Sequence, residues 1–149
     1  MARASKRDKL NFCEVEMLDF KGFLDQVQKF ETVALTAPAG PDGDSVGTQC
    51  ALRELLLQLF PEKKIRIINE DPCPPRYQIL SETRHFEIAT DVLKSPKSQW
   101  PELWICVDGG SGRIGDDTTQ LWGSAKKHGQ VDHHVSGGGE SYEFQLHDP

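Results

Sequence analysis

Val33-Ala34-Leu35-Thr36-Ala37-Pro38-Ala39-Gly40-Pro41-Asp42-Gly43-Asp44-Ser45-Val46-Gly47 is the stretch on which the fold turns. Val33 to Ala37 is a short apolar, β-prone run, and the proline- and glycine-punctuated turn after it carries two carboxylates. Asp44 or Ser45 is the expected N-cap of the helix that follows. A strand that runs through such a turn straight into a helix sets its carboxylates at the carboxyl edge of a sheet, where open α/β folds bind ligands. Two later stretches end the same way, Val107-Asp108-Gly109-Gly110 and Val131-Asp132-His133-His134.

Upstream of that stretch, residues 1–14 read as a flexible polar tail. From Val15 to Phe30, apolar Met17, Phe20, Phe23, Leu24, Val27 and Phe30 recur at three and four, predicting an amphipathic helix. Downstream, Val46, Leu52, Leu55, Leu56 and Leu59 predict the inner stripe of a helix that Pro61 stops. Lys64 to Asn69 reads as a strand, and Asp71-Pro72-Cys73-Pro74-Pro75 as a rigid turn. A short helix is expected over Arg76 to Leu80, then loop and a short strand over His85 to Val92. Leu103 to Val107 is a buried strand. A helix is expected from Asp116 to His128 with Gly129 at its C′ position, then a strand from Gln130 to His133. Gly137-Gly138-Gly139 reads as a flexible connection, and Tyr142 to Leu146 as an edge strand. Strands alternating with helices imply parallel pairing, so 15–149 is expected to be one Rossmann-like α/β domain, its mostly parallel sheet covered by helices on both faces.

Composition narrows the function. A chain of 149 residues fits one domain. A formal charge of −6 argues against a dedicated binder of nucleic-acid backbone, although bound cations reverse the local sign and let an acidic protein handle phosphate esters. Cys13, Cys50, Cys73 and Cys106 show no Cys-x-x-Cys pairing and read as reduced thiols of an intracellular protein. The cytoplasm is the expected location, with Arg3, Lys6, Arg7 and Lys9 leaving a mitochondrial destination as the alternative. No apolar run approaches the ~18 residues of a membrane span.

Carboxylates suit hard divalent cations, and an added imidazole moves the preference toward first-row metals such as Mn²⁺, with Mg²⁺ as the other option. Asp42 and Asp44 lie at i and i+2, so in an extended loop they diverge, each toward one ion of a pair. Asp108, alone at its strand end, is placed to bridge both ions, and His133 to complete the second site. His134 is expected to point the other way, serving as donor to a phosphate oxygen or as general acid. Each feature has a plainer explanation when taken alone: Pro-Asp-Gly-Asp is a common turn, Val-Asp a common strand end. Their recurrence in one alternating β/α frame favours the metal-binding explanation.

At these residues the sequence resembles the DHH phosphoesterase superfamily, nearest to its oligoribonuclease and pAp-phosphatase branch, often labelled exopolyphosphatase-related. The resemblance runs from Met17 to Pro149 and rests on Pro41-Asp42-Gly43-Asp44-Ser45-Val46-Gly47, on Val107-Asp108 with Arg113 five residues on, and on Asp132-His133-His134. It implies Mn²⁺ as cofactor and Asp42, Asp44, Asp108 and His133 as metal ligands. It further implies that His134 and Arg113 contact substrate, that Asp108 and His134 serve catalysis, and that Asp132 orients the histidine pair. The implied activity is hydrolysis of a phosphodiester or phosphomonoester in a small nucleotide or short oligonucleotide. Where the family's first motif begins with a metal-binding histidine, this chain has Pro38, which offers no ligand atom. The family's further aspartate and its C-terminal glycine-rich lobe have no counterpart before Pro149. An alternative of a different class therefore stands beside the enzyme: a non-catalytic relative serving as a structural or interaction subunit. Because the resemblance implies a lobe that would cover the C-terminal part of the domain, apolar surface is expected to be exposed there, and with it a homodimer or larger complex.

Overall fold

The computed structural model describes residues 15–134 and 142–147. The tail 1–14 and the glycine run Gly137-Gly138-Gly139 lie outside the described residues. The elements are β1 (Glu16–Leu18), α1 (Phe20–Gln28), β2 (Thr32–Thr36), α2 (Gly43–Leu59), β3 (Lys64–Asn69), β4 (Phe86–Ile88), α3 (Ala89–Leu93), β5 (Leu103–Val107), α4 (Asp116–Trp122), β6 (Lys127–Asp132) and β7 (Phe144–His147). The strands form one seven-stranded sheet in the order β1-β7-β6-β5-β2-β3-β4, and every pairing is parallel.

Alternation along the central strands sorts the core into two layers. Val33, Leu35, Ile65, Ile67, Leu103, Ile105 and Val107 face α1 and α2, meeting Phe23, Val27, Leu52 and Leu56. Ala34, Ile68, Trp104 and Cys106 face the other way, toward Ala89 and Val92 of α3 and Leu121 and Trp122 of α4. Because both faces are covered, the central strands read as unbroken apolar runs. After β2 the chain crosses to β3 on one side of it; later it returns to β5 on the other side. The carboxyl ends of β2 and β5 thus flank the point where strand order reverses, the place at which such sheets bind ligands.

Several expectations are corrected. Met17 belongs to β1, and the first helix starts only at Phe20, capped by the Asp19 carboxylate on the Gly22 N–H. Asp42, not Asp44 or Ser45, is the N-cap of α2, so that helix begins two residues early. On α2, Leu55 and Leu59 are exposed, while Ser45 and Gln49 join Val46, Leu52 and Leu56 inside. Gln49 is accommodated by a buried amide pair: its Nε2 donates to Asn69 Oδ1 at 2.8 Å, and Asn69 Nδ2 returns a bond to Gln49 Oε1 at 3.1 Å. Asn69 Oδ1 also accepts from the Ala37 N–H, tying the exit of β2 to α2.

The region 76–93 holds 3₁₀ turns over Pro75–Tyr77 and Ser81–His85, then β4 and the short α3. Helix α4 stops at Trp122, and Gly129 lies inside β6 rather than at a helix end. A Cβ there would come within 2.3 Å of the Phe144 ring, so the glycine makes room for packing between β6 and β7. Strand β7 is interior, not an edge, because β1 pairs along its outer side. Cys50, Cys73 and Cys106 are buried, and burial pushes the thiols of the first two above the usual range.

Candidate metal centre

Three strand ends build the site. After β2, the Asp42 carboxylate turns back onto the first turn of α2 and accepts from the Ser45 N–H at 3.0 Å. That bond, first among several influences, holds the Asp42 carboxyl below the usual carboxylate range. Asp44 lies in the same first turn, where the helix dipole favours a negative charge.

After β5, Asp108 has a left-handed backbone (φ 55°), tolerated by aspartate better than by most residues. Such a conformation costs on the order of 1–3 kcal/mol and persists where its surroundings over-determine it. Here the Asp108 N–H donates to Val131 O at 3.0 Å, and the next carbonyl, of Gly109, accepts from Gln130 Nε2 at 2.7 Å. Gly109 also has positive φ, and a Cβ on it would lie 2.6 Å from Pro38 Cγ. Where the family resemblance calls for a histidine, Pro38 thus acts as a wedge beneath the Asp108 loop.

At the end of β6, Asp132 Oδ1 accepts from the N–H of His133 at 2.9 Å, the N–H of His134 at 3.2 Å and His134 Nδ1 at 2.6 Å. This turn ends the strand's alternation. The two imidazoles, expected to diverge, instead lie with ring centroids 4.3 Å apart. His133 Nε2 is 3.2 Å from Asp108 Oδ1, and His134 Nδ1 is 4.0 Å from the same oxygen. The hydrogen bond that His134 donates to Asp132, then the charges of Asp132, Asp108 and Asp42, raise the His134 pKa above the ordinary imidazole value.

Asp108, Asp132, His133 and His134 each offer a donor atom, and these atoms lie within 4.8 Å of one another. Of the four ligands the family resemblance implies, Asp108 and His133 are in this group. Asp42 lies beside Asp108, and Asp44 lines the same cavity. The cavity measures about 390 Å³, with Thr48, Val131 and Leu146 supplying its less polar wall. Arg113 is exposed in a 3₁₀ turn and is not among the cavity's lining residues; its carbonyl accepts from the Ala39 N–H. Ser45 enters as a residue that sequence reasoning treated only as a cap: its hydroxyl donates to Asp108 Oδ2 at 2.8 Å. No local signal marks that contact, because its partner lies 63 residues away.

No protein-family model matches the chain, and no curated protein matches it. Among solved structures, it is similar to the crystal structure of an exopolyphosphatase-related protein from Bacteroides fragilis, with a TM-score of 0.68 and 13% sequence identity. The likeness covers 85% of this chain and 37% of that one, so the chain spans little more than a third of that protein's length. At this identity the match establishes a shared fold.

Proposed function

We propose that the chain is the metal-binding domain of a phosphoesterase of the DHH type, acting on phosphodiester or phosphomonoester bonds of small nucleotides or short oligonucleotides. One observation carries this: carboxylate and imidazole donors from two adjacent strand ends, β5 and β6, converge at the carboxyl edge of a parallel sheet, beside its switch point. Ligands around a single ion bonded at 2.0–2.2 Å span up to about 4.4 Å, so a cluster spanning 4.8 Å needs only slight contraction to close on one. Mixed oxygen and nitrogen donors suit a first-row divalent cation, and the family resemblance points among these to Mn²⁺, with Mg²⁺ as the option that the carboxylates would serve. Asp108 and His133 would hold the ion, with Asp44 turned toward the same cavity. The corner between Asp42 and Pro38 would hold a second ion poorly, since proline contributes no ligand.

When bound, such a cation lowers the pKa of a coordinated water and draws charge from a phosphoryl oxygen. The protein's own groups do the rest. Asp132 fixes the tautomer and orientation of His134 through Nδ1, leaving Nε2 as the atom that meets a phosphate oxygen or protonates a departing one.

Calorimetric titration with Mn²⁺, paired with hydrolysis assays on short oligonucleotides and pAp, tests the proposal. We expect uptake of one ion, slow Mn²⁺-dependent turnover, and loss of both in Asp108→Ala. Absence of Mn²⁺ uptake would overturn the metal assignment, and two tight sites would contradict the single-ion form. A second reading, a non-catalytic subunit of a larger assembly, is favoured by Pro38 seated against Gly109. Ion uptake with no turnover would select it.

A further inference from the structure

Ser45 is 3% exposed, and its hydroxyl leaves the first turn of α2 to reach the loop after β5. Its own N–H is taken by Asp42, so the residue ties the first and second strand-end loops together from both its groups. The Asp108 carboxylate it meets is divided between two environments. Oδ2 accepts the Ser45 hydroxyl at 2.8 Å, whereas Oδ1 faces His133 Nε2 at 3.2 Å. With the backbone of Asp108 already fixed by Val131 O and by the Gly109 contacts, rotation of the carboxylate is the freedom that remains. Ser45 removes it. Without that donor, Oδ2 would lose the hydrogen bond that sets the plane of the carboxylate.

We propose that Ser45 is a positioning residue that reserves one oxygen of Asp108, so that the carboxylate offers a cation only Oδ1, on the histidine side. The proposal rests on the metal-binding reading above and deepens it. A carboxylate held by a hydrogen bond on its far oxygen is oriented for one-point ligation rather than for chelation or bridging, and partners of this kind commonly contribute 10- to 100-fold in metal affinity.

The test has two arms. In the first, Mn²⁺ is titrated into the wild type, Ser45→Ala and Ser45→Thr, with metal-free melting curves alongside. We expect affinity to fall roughly 10- to 100-fold in Ser45→Ala and to recover to within a few-fold in Ser45→Thr, while the metal-free melting temperatures stay close together. In the second, metal-free crystals of Ser45→Ala report the orientation of the Asp108 carboxylate, which we expect to rotate. Unchanged affinity in Ser45→Ala, or a carboxylate that keeps its orientation there, would overturn the proposal. A lower melting temperature with unchanged affinity would assign Ser45 a structural role alone, with the same result. Should the wild type itself take up no Mn²⁺, the metal reading falls, and the crystals still decide whether Ser45 orients Asp108.

Discussion

A single oxygen of Asp132 gathers two backbone N–H groups and an imidazole, which is why Asp132 is buried while the histidines it organises stay half exposed. The consequence is electrostatic. His134 has a raised pKa, so its charged form is favoured in the folded protein. For a group raised in this direction, the stabilisation is complete below the unfolded value near 6.5 and is lost as pH rises through the folded value. We therefore expect the His134 ring, followed by NMR in metal-free protein, to titrate above the ordinary imidazole value, and Asp132→Asn to bring it back down. A His134 titration indifferent to that substitution would refute the pairing. The aspartates and histidines were visible in the sequence as candidate donors, because their chemistry is carried by the side chain itself. What they touch was not: the paired imidazoles and the reach of Ser45 depend on how a strand end turns.

Elements that stand on their own periodicity were legible. Strands β3 and β5 have the predicted bounds, because Lys64 to Asn69 carries three isoleucines and Leu103 to Val107 is an apolar run. Strand β6 was partly missed because Lys-His-Gly-Gln-Val-Asp carries little intrinsic β signal; its place between β5 and β7 makes it a strand. The spacing of Met17 was read as helical, but three residues pairing with β7 outweighed it. The misplaced Gly129 yields a prediction at this scale. Gly129→Ala must push the Phe144 ring from its place in the core, an overpacking that costs about 1–3 kcal/mol. Urea denaturation reads this as a lower midpoint with unchanged slope. A neutral result would mean that β6 and β7 are not packed as described.

For the molecule as a whole, the site joins segments that are otherwise separate: the β2–α2 turn, the loop after β5 and the end of β6. A cation held across them must stabilise the fold by mass action, by about 2.7 kcal/mol at a concentration 100-fold above its dissociation constant. For a chain of this size each kcal/mol moves the melting temperature by about 2–4 °C. We expect Mn²⁺ to raise the melting temperature by roughly 5–11 °C under those conditions. A chelator should reverse the rise, and Asp108→Ala should abolish it. No helix among the described residues is long and apolar enough to cross a membrane.

The sequence by itself determined the class of fold and which candidate donor residues stand at its strand ends. Apolar runs, turn residues and carboxylates at strand ends are properties of near neighbours along the chain, and near neighbours can be read in order. Only the tertiary structure decided which donors meet: that Asp132 and His134 stand with Asp108 and His133, that Pro38 wedges the Asp108 loop, and that Ser45 claims one oxygen of Asp108. Those outcomes depend on the register of parallel strands whose partners are tens of residues apart, and on the backbone rotation of Asp108, neither of which any local pattern records.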